Sequence, residues 1–221
     1  MHAVELLASW LITWSPAALI LPLFLAIRVF PKAGIEARAL AVFVFIASAA
    51  EAVAGVLWYS RLNNLAVLHL YTILEFFSLS FFYYLCLPGK VIRSVITVTT
   101  VLFLAFSIYE NLFLNGMRIF NIYSRSAEGI IVTLYAVLLY IKEINAMPSP
   151  RTSMLLWSNT GFLLYFSGTF FLFIFDNSND PDAMSTAVYK EFWAFHTLLM
   201  IILYSLISIG LWKVAFSKKM Q

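Results

Sequence analysis

Seven long apolar runs, each bounded by charged or turn-forming residues, constrain this chain more than anything else in it. They cover Leu6 to Phe30, Ala39 to Ser60, Leu65 to Leu87, Ile92 to Glu110, Ser126 to Ile144, Met154 to Phe175 and Tyr189 to Ala215. A bilayer core is crossed by about 20 apolar residues of helix, and in hydrocarbon each backbone donor needs a partner within its own segment. Each run is therefore expected to be a transmembrane helix, and the fold an all-α, polytopic seven-helix domain over residues 1–221. The breaks carry turn chemistry: Pro31 to Gly34, Asn63-Asn64, Pro88-Gly89, Asn115-Gly116, Pro148 to Pro150 and the polar run Asp176 to Asp182.

Composition agrees. Hydrophobic residues make up 62% of the 221, only 11% are charged, and mean hydropathy is +0.90, far from the balance of a soluble domain. Seven spans consume about 140 to 150 residues, which excludes a separate soluble catalytic domain. The first run has no basic cluster ahead of it and exceeds the core of a secretory signal, so it is expected to be a retained helix. Pro16 and Pro22 should bend it by removing backbone donors.

Lysine and arginine cluster on one side. Arg28, Lys32, Arg38, Lys90, Arg93, Lys142, Arg151, Lys213, Lys218 and Lys219 fall at one set of ends, against Arg61, Arg118, Arg125 and Lys190 at the other. Basic residues near helix ends stay cytoplasmic, so the expected orientation is N-terminus outside and C-terminus cytoplasmic, in an inner or plasma membrane. The net charge of +3 then reports topology and contact with lipid headgroups, not nucleic-acid binding. Trp10, Trp14, Trp58, Tyr59, Tyr123, Trp157, Trp193 and Trp212 lie near the helix ends, as interfacial rings do.

Several chemistries lack their residues. A retinal protein needs a lysine midway along its last helix, whereas Lys190 and Lys213 flank that helix, so retinal is excluded and no cofactor is expected. The single Cys86 permits no disulfide and no cysteine metal motif. There is no Walker loop, HExxH, GxSxG or CxxC. The run Asp176, Ser178, Asp180, Asp182 begins like a calcium loop, but Pro181 and Ala187 stand where that loop needs glycine and glutamate, and a solvated loop is expected.

What remains are ionisable groups inside spans, each costing at least about 2.5–3.5 kcal/mol to insert. Glu51, His69, Glu75, Glu128 and His196 are the residues in question, with Tyr71 on the same stripe as Glu75. Glu51 and Glu75 sit at one level of an antiparallel hairpin, about 15 Å from its outer turn. Two carboxylates that close would share a proton, a metal or a basic ligand. Ser48, Glu51 and Gly55 suggest the interior face of the second helix, Glu128 can pair with Arg125 one turn earlier, and Glu110 and Glu191 read as solvated ends.

These groups lie in the outer half of the bilayer, which supports a pocket around Glu51, His69, Glu75 and His196 binding a small ligand or ion for sensing or transport. Two alternatives use the same residues. The first is an intramembrane metal-assisted hydrolase or lipid-modifying enzyme with Glu51, His69, Glu75 and His196 as ligands. The second is a structural subunit whose polar groups bind a membrane partner protein and lock helices together. The helix order also permits a 3+1+3 repeat, although no extended internal identity accompanies it.

Overall fold

The computed structural model describes residues 9–114, 119–174 and 186–216, the side chains of 186–190 excepted. Among the described residues every regular element is helical. The helices are α1 (Ser9–Val29), α2 (Ile35–Tyr59), α3 (Leu65–Cys86), α4 (Lys90–Leu114), α5 (Ile122–Glu143), α6 (Pro150–Ile174) and α7 (Thr186–Ala215). The helix ends lie within a few residues of those expected from hydropathy. The acidic run Asp176 to Asp182, the Asn115-Gly116 turn and Lys218 with Lys219 fall outside the described residues.

Six of the seven helices are long and apolar enough to cross a membrane. The exception is α6, which has 25 residues and so ample length, but trades hydropathy for small and polar residues. Those residues are packing devices. A Cβ on Gly161 would stand 3.1 Å from Leu203 Cδ1, and one on Gly168 2.6 Å from Leu199 Cδ1. On the partner helix, a Cβ on Gly210 would stand 2.6 Å from Ser158 Oγ. Gly129 of α5 likewise faces Phe170, at 2.9 Å. Small side chains let backbones approach where lipid supplies no hydrophobic drive for association, and α6 accordingly packs most extensively, between α5 and α7.

The neighbours run α1–α2–α3–α5–α6–α7 and back to α1, with α4 outside this ring against α3 and α5. Alternate helix ends meet at one side, the basic end. There Arg151 pairs with Glu36 at 3.0 Å, Lys142 Nζ donates to the Cys86 carbonyl at 2.5 Å, and Arg28 lies 4.7 Å from the Phe216 ring centre. In α1, Ser15–Leu19 forms a 3-10 segment with Pro16 in its first turn.

The two halves of the ring are filled differently. Toward the basic end, Phe162 of α6 meets Phe43 of α2 at 5.3 Å and Phe82 of α3 at 5.8 Å between ring centres, all three fully buried. Asn159 ties this plug together, accepting from Tyr83 Oη at 2.9 Å and donating to the Ala136 carbonyl at 2.8 Å. The other half, the far half, is polar.

Candidate functional site

The far half is organised by where α5 begins. Asn121, its N-cap, donates through Nδ2 to Thr72 Oγ1 at 2.9 Å. Thr72 is seven residues past the start of α3, about 10 Å along it. The helix thus starts below the bundle's rim, with buried N–H groups that need acceptors. Glu110, from a π-helical turn ending α4 (Glu110–Leu114), supplies them. Its carboxylate accepts from Tyr123 N at 3.2 Å, Ser124 N at 2.8 Å and the Ser124 hydroxyl. A carboxylate there also meets the positive end of the helix dipole. Glu110 is fully buried, which overturns its expected role as a solvated helix end. The exposed Glu191 does match that role.

His69 secures the same junction. Its Nε2–H donates to the Ile119 carbonyl at 2.9 Å, giving a partner to irregular backbone that lies within the protein. The structure therefore places His69 beneath the chain leading into α5, with Thr72 and Asn121 beside it.

Arg125, in the first turn of α5, is the centre of the site. Its Nη1 bonds Glu75 Oε2, midway along α3, and Glu128 Oε2 at 3.1 Å. Its guanidinium carbon lies 5.2 Å from the Tyr71 ring centre, a cation–π arrangement. Tyr71 Oη in turn donates to Glu75 Oε1 at 2.8 Å. Both Glu75 oxygens are thus engaged, and the second carboxylate of the expected pair is Glu128 in place of Glu51. The cation between them is Arg125, which hydropathy alone assigns to a loop but which is 8% exposed. Because both ion pairs use Nη1, the Nε–H of Arg125 is left buried with no partner, as is Glu128 Oε1.

Two tyrosines complete the wall. Tyr204 of α7 lies beside Tyr71. Tyr165 of α6 stands 3.1 Å from His196 Nε2, and His196 packs among the rings of Tyr165, Phe173 and Trp193. Glu51 lies on the stripe of α2 that buries Val44, Ala47 and Ala54, within electrostatic reach of both Tyr165 and Tyr204. Among the described residues it has no hydrogen-bond or ion-pair partner. Gly55, one turn further along the same side of α2, has nothing within 4 Å of a Cβ placed there, so the buried stripe is turned from the expected Ser48–Glu51–Gly55 face toward Ala47 and Ala54.

No family model, curated protein or solved structure matches this chain. Its chemistry must be read from its own geometry. Among the described residues no three His, Cys, Asp or Glu side chains are placed to hold a metal. His69 serves the α5 junction, His196 pairs with Tyr165, and Glu75 with Arg125. The residues that hydropathy reading missed are Arg125 as an interior group, Glu110, Tyr165 and Tyr204. Their only sequence signal is polarity within or beside a span, which Tyr shares with ordinary packing residues.

Proposed function

We propose that this chain is a seven-span protein of an inner or plasma membrane, with its N-terminus and the far half outside and its basic end cytoplasmic. The far half binds a small ligand or ion and uses it for sensing or transport. One observation carries this reading. A buried guanidinium is held between two buried carboxylates while its Nε–H and one oxygen of Glu128 have no protein partner. Buried polar atoms are nearly always satisfied, and an intramembrane ionisable cluster that is not self-sufficient marks a place where something binds.

The aromatic plug supports access from one side only, because it fills the ring between the cluster and the basic end. What supports a seventh span is α6. Its length and its place between α5 and α7 put it alongside two apolar helices, and Thr152, Ser158, Asn159 and Thr169 on it are buried.

The test is a thermal-stability screen of metabolites and inorganic ions on the protein in lipid nanodiscs. Stabilisation of the wild type that disappears in folded Glu75→Gln and Glu128→Gln variants supports a site at the cluster. Stabilisers that act equally on both variants contradict it.

A further inference from the structure

We infer that the basic end carries a seat for one anionic phospholipid, its phosphate held by Arg28 and Lys213 on the outside of the seam where α7 closes against α1. This goes beyond the far-half ligand and does not depend on it.

Unpaired charge is the first ground. The two acids at this end are already committed, Glu36 to Arg151, and Glu143 to Lys142 and Arg151. Arg38 donates to the Ala33 and Pro31 carbonyls, and Arg93 to that of Tyr84. Among the described residues Arg28, Lys32 and Lys213 have no hydrogen-bond or ion-pair partner, and all three are exposed.

Geometry brings these cations together. Arg28, in the last turn of α1, has its guanidinium carbon 4.7 Å from the centre of the Phe216 ring, just past the end of α7. Helical turns continue beyond both helices, with Ala33 N donating to the Val29 carbonyl at 3.0 Å and Phe216 N to that of Trp212 at 3.2 Å. Lys213 is therefore one turn before Phe216, and Lys32 one turn after Arg28. The C-terminal ends of α1 and α7 offer about half a negative charge each, so an excess of roughly two positive charges is left for an anion to neutralise.

The surroundings name the class of anion. The Trp212 ring packs on Phe216 at 4.2 Å between centres, and both rings are exposed, as is Phe24 one turn before Arg28 on α1. A soluble anion gains nothing from these rings, whereas a phospholipid lays its acyl chains along them, and an indole at this level suits the headgroup region. A guanidinium stacked on a ring keeps its planar fork of donors free for phosphate oxygens.

Native mass spectrometry of the delipidated protein in detergent tests this with dioleoylphosphatidylglycerol, dioleoylphosphatidylcholine and inorganic phosphate. One phosphatidylglycerol is expected to stay bound per chain where phosphatidylcholine does not, because the choline cation offsets the phosphate charge. Arg28→Gln with Lys213→Gln should weaken retention about tenfold or more, as the loss of charge-assisted hydrogen bonds does. Arg28→Lys, which keeps the charge without the fork, should weaken it less. Lys90→Gln with Arg93→Gln removes the same charge from the same end, at the start of α4, and should leave retention unchanged. Equal retention of the two lipids, retention that survives Arg28→Gln with Lys213→Gln, or an equal loss with Lys90→Gln and Arg93→Gln would each overturn the seat. Inorganic phosphate that displaces the lipid at equal concentration would overturn the assignment to a lipid.

Discussion

The two halves of the ring use polar groups in opposite ways. Toward the basic end, Asn159 spends both ends of its amide on Tyr83 and Ala136, and the buried polar atoms without partners are hydroxyls such as those of Ser80 and Ser158. In the far half the buried atoms without partners include those of ionisable groups, Arg125 Nε, Glu128 Oε1 and His69 Nδ1, beside Asn121 Oδ1 and the Ser126 hydroxyl. A hydroxyl without a partner is a small loss, whereas an ionised group without one is costly. On the proposed reading, the first half stays shut and the second is completed by a ligand.

Removing Arg125 should break this contrast most severely. Arg125→Gln strands Glu75 and Glu128 without a cation, and breaking a buried pair in this way costs about 3–5 kcal/mol. Unfolding in detergent should show the loss, and adding Glu75→Gln should recover part of it. Next comes the plug. Phe162→Ala should cost about 3 kcal/mol, the lower end for a buried phenylalanine, because lipid contributes no transfer term. Its midpoint should fall without loss of ligand stabilisation. If ligand stabilisation disappears with it, the halves are not separable.

The glycines give a smaller and two-sided prediction. Gly129→Ala drives a methyl into Phe170 and the Phe166 carbonyl and should cost about 1–3 kcal/mol. Gly55→Ala, facing open space, should stabilise by up to about 1 kcal/mol through helix propensity. Equal effects at the two sites would contradict the packing described for α5 and α6. Smallest of all, Arg151→Gln removes ion pairs to Glu36 and Glu143, but the arginine side chain is 44% exposed and Glu143 keeps Lys142, so the cost should be under about 1 kcal/mol.

The helices were legible in the sequence because hydropathy and turn residues mark them directly, but the choice of partners was not. Adjacency in the chain suggests Glu51 opposite Glu75 across the α2–α3 hairpin. In the fold α5 also packs against α3 and brings Arg125 to Glu75 instead. Arg125 and Glu110 both sit at helix ends, where charge ordinarily means solvent. Only the depth at which α5 starts makes one an interior cation and the other a buried cap, and that depth is set by His69 and Thr72 on a different helix. Of the residues singled out in advance, Tyr71, Glu75 and Glu128 meet around Arg125. His196 is reached through Tyr165, and His69 has a separate task.

The most direct test of the account is water access to the two halves. The sole cysteine, Cys86, is 1% exposed, so a Cys86→Ala background carrying Glu51→Cys or Ser80→Cys isolates one thiol in each half. The account predicts that a membrane-impermeant maleimide added to the outer face of intact cells labels Glu51→Cys and leaves Ser80→Cys unlabelled until the protein is denatured. Labelling of Ser80→Cys alone, or of neither thiol before denaturation, would contradict it.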